Sequence, residues 1–223
     1  TNEKWPFVLA EKMNADLTIG VDVKSHFAGF IAVGRGGDYI SATKGMECRQ
    51  PEQISEAEFR KLMIATIQEY VRSTGDLART VVIHRDGRMF ETEVKGAKSA
   101  FDSLRDEGLL APNATLDCVE IGKSSFTSLR LFDVSNYNDN GHPQIRNPEV
   151  GDYFIASADE GYVCATGRAF PRDGTVSPLH VKKVFGSLTL EQILKDIYWL
   201  TTLTWTRPED CTRYPITIKL NDR

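Results

Sequence analysis

The sequence predicts one α/β domain over residues 1–223, with a mixed central sheet flanked by helices. Three observations carry this. Apolar residues first recur in three consecutive strand-like runs, 16–23, 27–33 and 39–46. The spacing then lengthens to a helical period at Phe59, Leu62, Met63, Thr66, Ile67 and Tyr70, after which strand-like and helix-like segments alternate. No Pro-, Gly- or Ser-rich linker divides the chain, and 223 residues are ample for one buried core.

The elements follow in order. Residues 1–16 read as an irregular lead-in, and the three runs after them, joined by short turns such as Gly34-Arg-Gly-Gly-Asp38, read as an antiparallel meander. Ser55 with Glu58 three residues on forms a capping box that starts a helix over 56–73. Arg79 to His84 is a short apolar strand that runs into Arg85-Asp86-Gly87. Val94, Ala97, Phe101 and Leu104 mark one face of a second helix, and Leu116 to Ile121 a strand. Leu129 to Val134, Tyr153 to Ala165 and Thr175 to Val184 are expected to be strands, with 136–148 a loop rich in Asn, Gly and Pro. Thr189 and Gln192 cap a third helix bearing Leu190, Ile193, Leu194, Ile197 and Leu200. The alternation of Ile216, Ile218 and Leu220 predicts a closing strand.

Composition removes several classes of function. With 41% hydrophobic and 26% charged residues the chain is globular rather than disordered. No apolar run approaches the roughly 18 residues of a membrane span, and no secretory signal opens the sequence. The cysteines Cys48, Cys118, Cys164 and Cys211 include no CxxC pair, which argues against a structural zinc site or a dense disulfide framework and for a reduced, cytoplasmic setting. A net charge of −4 argues against non-specific coating of nucleic acid, while leaving room for a local site where metal ions and a few basic residues meet phosphates.

Two acidic residues stand out. Asp22 sits inside the apolar run Ile19-Gly-Val-Asp-Val23, where an ionised carboxylate is costly unless it is paired or bound to metal. Asp86 ends the fourth predicted strand. A strand that follows a right-handed crossover tends to return beside an earlier one, so the two carboxylates can become neighbours. Carboxylates so placed can bridge divalent ions, a pair of which activates water and stabilises the leaving oxygen in phosphodiester hydrolysis. The competing readings are a polar face of an edge strand for Asp22 and an ordinary Asp-Gly turn for Asp86. His84-Arg-Asp-Gly is no kinase catalytic loop, because Glu91 stands where the loop needs Asn. Gly34-Arg-Gly-Gly lacks the Gly-Lys-Ser/Thr of a phosphate loop. His26, His142 and His180 show no ligand spacing, and Trp199 and Trp205 read as core.

An ordered set of motifs then resembles a known family. It comprises Ile19-Gly-Val-Asp-Val23, the helix after Pro51, Val82-Ile-His-Arg-Asp-Gly87, Gly122-Lys-Ser-Ser-Phe-Thr-Ser-Leu-Arg-Leu-Phe132, Gly174-Thr-Val-Ser-Pro-Leu-His180 and Tyr214-Pro-Ile-Thr-Ile-Lys-Leu-Asn-Asp222. Together these resemble the PIWI domain of a prokaryotic Argonaute protein across nearly the whole chain. The resemblance implies a ribonuclease-H-like fold excised from a longer Argonaute, whose remaining domains would be partners. It also implies guide-directed, Mg²⁺- or Mn²⁺-dependent cleavage of the target strand in a guide–target duplex. The family's tetrad falls on Asp22, a mobile Glu, Asp86 and Asp222, with Asp22, Asp86 and Asp222 as metal ligands. Glu52 suits the mobile acid best, with Glu56 and Glu47 as alternatives. Lys123 and Arg130 match the family's basic stretch and would meet backbone phosphates. The alternatives are a PIWI module that binds guide and target without cutting, and an unrelated ribonuclease-H-like enzyme such as a transposase core. Whether guide and target are DNA or RNA is not legible in these residues.

Overall fold

The computed structural model describes residues 8–24, 26–48, 52–122, 129–165, 176–207, 210–211 and 214–219. The meander forms as expected. Strands β1 (Leu17–Lys24), β2 (Phe27–Gly34) and β3 (Ile40–Glu47) pair antiparallel in sequence. Helix α1 (Glu56–Thr74) follows, with the Ser55–Glu58 capping box formed and Gly75 closing it at φ 76°. The predicted stripe from Phe59 to Tyr70 is its buried face. Strand β4 (Thr80–Asp86) then returns parallel to β1, helix α2 (Glu91–Asp106) crosses over, and β5 (Thr115–Gly122) lies parallel to β4.

Next come β6 (Asp133–Tyr137), β7 (Pro143–Arg146), β8 (Tyr153–Ile155), β9 (Glu160–Val163) and β10 (Leu179–Phe185). Helix α3 (Leu190–Thr202) carries the Thr189–Gln192 capping box. The short pair β11 (Trp205–Arg207) and β12 (Asp210–Cys211) precedes a single helical turn, α4 (Ile216–Lys219). The main sheet runs β3-β2-β1-β4-β5-β10-β9-β8. It is mixed: β1, β4 and β5 are parallel at its centre, and both flanks are antiparallel.

Alternation along the strands divides the core into two layers. Leu17, Ile19, Val21, Val81 and Ile83 pack under α1 and α2, with Phe59, Met63, Ala97 and Phe101. The two helices cross closely at Gly96, where a Cβ would press on the Glu56 carbonyl and Phe59. Val82, Val119, Ile121 and Val181 point to the other face, under α3 and α4, with Ile193, Ile197 and Ile218. Full burial of each large apolar side chain contributes on the order of 1.5–3 kcal/mol, so both layers stabilise the sheet between them.

Three expectations are corrected. Residues 216–220 do not form a strand: Ile216, Thr217 and Ile218 are all buried at successive positions, which no half-buried strand allows, and they form α4. Pro215 starts the turn, its carbonyl accepting from the N–H groups of Ile218 at 2.9 Å and Lys219 at 3.0 Å. The expected loop at 136–148 contains β7, paired back onto β6 around a turn in which Asn138 Oδ1 accepts from the N–H groups of Asn140 and His142. The apolar segment from Tyr153 to Ala165 is a hairpin of two short strands rather than one long strand.

Candidate active site

The parallel register of β1 and β4 pairs Gly20 with His84 and Val21 with Arg85, so the next residue on each strand is an acid, Asp22 and Asp86. Neighbouring strands lie about 4.8 Å apart, and both acids are half-buried at the carboxyl ends of central parallel strands. That end of an open α/β sheet is where ligands bind. Each acid follows its strand's Gly20 or His84 by two residues, so both side chains leave the sheet on the face covered by α3 and α4. Two hard oxygen donors side by side suit Mg²⁺ or Mn²⁺. Among the described residues, no three His, Cys, Asp or Glu side chains gather into one metal-binding group.

Glu52 is described, but it does not join the pair in such a group. It is exposed and stands at φ 62°, a left-handed conformation that is uncommon outside glycine. Its backbone is held from beneath. The Arg85 guanidinium donates from Nη2 to the Glu52 carbonyl at 2.8 Å and from Nη1 to the Asp86 carbonyl at 2.7 Å. Arg85 is itself buried against Glu93, Nε to Oε2 at 3.2 Å. The other Glu93 oxygen accepts from the Ile54 N–H at 3.1 Å. One buried ion pair thereby ties the Glu52–Ile54 segment to the end of the strand that carries Asp86. Of the alternatives for the mobile acid, Glu56 begins α1 and Glu47 ends β3.

His84 is fully buried, and burial pushes its pKa down to about 3, so the ring is neutral near pH 7. Its Nδ1 lies 3.2 Å from Thr217 Oγ1 on α4. Arg130 is exposed and donates to the Leu129 carbonyl at 2.9 Å and weakly to Ser177 Oγ at 3.5 Å. Asp222 and Lys123 lie outside the described residues. Lys182 and Lys183 face Glu120 and Asp159, at 4.0 and 3.3 Å. Trp199 packs beside Met13, Leu200 and Ile216, as a core residue does. A cleft of 1280 Å³ lies at the opposite ends of the same strands, where Asp16, Arg35, Asp38 and Arg79 line it. Its charges are partly matched, Arg35 to Asp16 at 3.4 Å.

Sequence reasoning passed over Gly20, Arg85, Glu93 and Thr217. Only Gly20 carried a readable signal, since a lone glycine inside a strand marks a close backbone approach.

The Piwi domain family model matches residues 6–220. Among solved structures, the chain resembles Clostridium butyricum Argonaute bound to a guide DNA and a 19-mer target DNA, with a TM-score of 0.73 and 20% identity over 97% of this chain. It also resembles Kluyveromyces polysporus Argonaute with a guide RNA, with a TM-score of 0.70 and 16% identity over 92% of this chain. The chain spans 27% of the length of each. No curated protein matches the sequence.

Proposed function

The chain belongs to the Piwi domain family, and from that premise we propose that it is the cleaving domain of a longer, cytoplasmic Argonaute, a guide-directed endonuclease. It would cut one phosphodiester bond of the target strand in a guide–target duplex. The observation that carries this reading is the adjacency of Asp22 and Asp86 at the ends of two central parallel strands. The similar Argonaute structures hold a guide DNA with target DNA or a guide RNA, which supports a guide–target duplex as the ligand.

Asp22 and Asp86 would hold Mg²⁺ or Mn²⁺ between them, and Asp222 would add a further ligand. Bound there, the ions would supply a nucleophilic water and stabilise the leaving oxygen, chemistry that would leave a 3′-hydroxyl and a 5′-phosphate. Glu52, whose backbone carbonyl accepts from Arg85 while its side chain is exposed, would move to the acid pair when the duplex is seated. Lys123 and Arg130 would contact phosphates and so set the position of the duplex without reading its bases. No helix among the described residues is long and apolar enough to cross a membrane.

A second reading is a module that binds guide and target without cutting. One assay separates the two. The full-length protein is loaded with each of the four DNA and RNA guide–target combinations, with Mg²⁺, Mn²⁺ or a chelator. Cation-dependent cleavage that Asp22→Ala and Asp86→Ala abolish supports the endonuclease. Tight duplex binding with no cleavage in any combination supports the binding module.

A further inference from the structure

One side chain bonds the backbone carbonyls of both Asp86 and Glu52. Alternation along β4 turns Arg85 away from the acid face, to the side on which Val81 and Ile83 pack under α1 and α2. There it is buried against Glu93, on the first turn of α2. Its other donors reach the backbone, Nη1 to the Asp86 carbonyl at 2.7 Å and Nη2 to the Glu52 carbonyl at 2.8 Å. A second set of bonds begins directly after Glu52. Gln53 Nε2 donates to Thr92 Oγ1 at 3.0 Å, and Thr92 Oγ1 donates to the Ile54 carbonyl at 3.2 Å. The Ile54 N–H donates to Glu93 Oε1 at 3.1 Å. Gln53 is thus bound by its side chain and Ile54 by both backbone groups, all to the first turn of α2. The Glu52 side chain is exposed, and its backbone stands at φ 62°, a conformation that persists in a non-glycine residue only where the surroundings hold it.

We infer that Arg85, oriented by Glu93, is a positioning residue for cleavage. It holds the Asp86 and Glu52 carbonyls in one frame, and with Thr92 it makes Glu52 the hinge on which the mobile acid turns. This rests on the endonuclease reading above, with Glu52 as the mobile acid. The reason is geometric. A guanidinium presents its N–H groups in a rigid planar fork, so it fixes the placement of two carbonyls bonded to it at once. Lysine carries the same charge as a point on a flexible stem and cannot bridge them. A buried ion pair that served folding alone could be exchanged for a packed apolar pair of similar volume. A pair that sets position cannot, because the two carbonyls lose the group that joins them. With Gln53 and Ile54 fixed to α2, a swing of the acid changes the torsions of Glu52 itself and leaves α1 in place.

The test uses the full-length protein with the guide–target combination that it cuts in Mn²⁺. The variants are Arg85→Lys, the apolar pair Arg85→Met with Glu93→Leu, Thr92→Val, and Leu104→Ala as a control that opens a cavity near the other end of α2. The measurements are the single-turnover cleavage rate, target affinity, the unfolding midpoint, and Mn²⁺ affinity from the electron paramagnetic resonance signal of the free ion. Cleavage is followed well below every midpoint. Arg85→Lys and the apolar pair should each cut about 10- to 100-fold more slowly and bind Mn²⁺ more weakly, the scale of lost outer-shell support, with target affinity unchanged. Thr92→Val spares the ion pair, so it should slow cutting severalfold and leave Mn²⁺ affinity as it was. Leu104→Ala should lower the midpoint and change neither rate nor Mn²⁺ affinity. Parental rates in Arg85→Lys and the apolar pair, a parental rate in Thr92→Val, or an equal loss of rate in Leu104→Ala would each overturn the inference. If the apolar pair fails to fold, Arg85→Lys and Thr92→Val decide the matter. Failure of the wider reading looks different: the parent cuts no combination, or Glu52→Gln cuts at the parental rate, and the inference falls with it.

Discussion

Glu93→Gln should be among the most destabilising conservative substitutions in the chain. The Glu93 side chain is 0% exposed and its partner Arg85 is 3% exposed. One carboxylate oxygen accepts from Ile54 N–H and Arg85 Nη2, the other from Arg85 Nε and Phe90 N–H. Glutamine keeps the shape but turns an –NH₂ toward two of those donors and leaves the guanidinium without its counter-charge. Breaking a buried pair by losing one charge costs about 3–5 kcal/mol. In a domain of this size that lowers the melting temperature by about 6–20 °C. Urea unfolding of the parent, Glu93→Gln, Arg85→Met and the double variant measures it, with an unchanged m-value required for the comparison. The double variant should lose less than the two singles together, by at least about 1 kcal/mol, because the second change removes the charge that the first left stranded. A Glu93→Gln loss below about 1 kcal/mol, or additive effects, would refute the reasoning.

Other outcomes follow from the same geometry. Millimolar Mn²⁺ should raise the melting temperature of the chain, by up to about 2.7 kcal/mol of linkage at a hundredfold excess over Kd, and the rise should vanish in Asp22→Ala. An equal shift in both would remove Asp22 from the site. In the full-length protein, Glu52→Gln should slow cleavage severely while leaving the unfolding midpoint and duplex affinity unchanged. Normal cutting by Glu52→Gln with lost cutting by Glu56→Gln would move the mobile acid to Glu56. Arg130→Ala should weaken duplex binding about equally for unrelated sequences and make the salt dependence shallower by roughly one ion, whereas a sequence-selective loss would indicate base contact. Asp222→Ala should abolish cutting while Asp222→His retains part of it, since histidine also ligates metal; equal activity of the two would deny Asp222 a ligand role.

What the sequence determined by itself is what short stretches of chain decide locally. Ser55 with Glu58 and Thr189 with Gln192 satisfy helix N–H groups from within four residues, so the starts of α1 and α3 were legible, as was the buried stripe from Phe59 to Tyr70. The meander was legible because its turns join neighbours. The acids were legible as candidates, Asp22 because a charge inside an apolar run needs an explanation. The tertiary structure decided their partnership. Asp22 and Asp86 become neighbours through the β1–β4 register, which is set across α1 by two hydrophobic layers. It also decided the form of residues 216–219. Their β-branched alternation favours a strand, but Gly20, far away in the chain, leaves a space above β1 that a helical turn fills, and burying Ile216, Thr217 and Ile218 together outweighs the local preference. The Arg85–Glu93 pair was hidden for the same reason: two opposite charges eight residues apart look like surface residues until the strand and helix that carry them close over both.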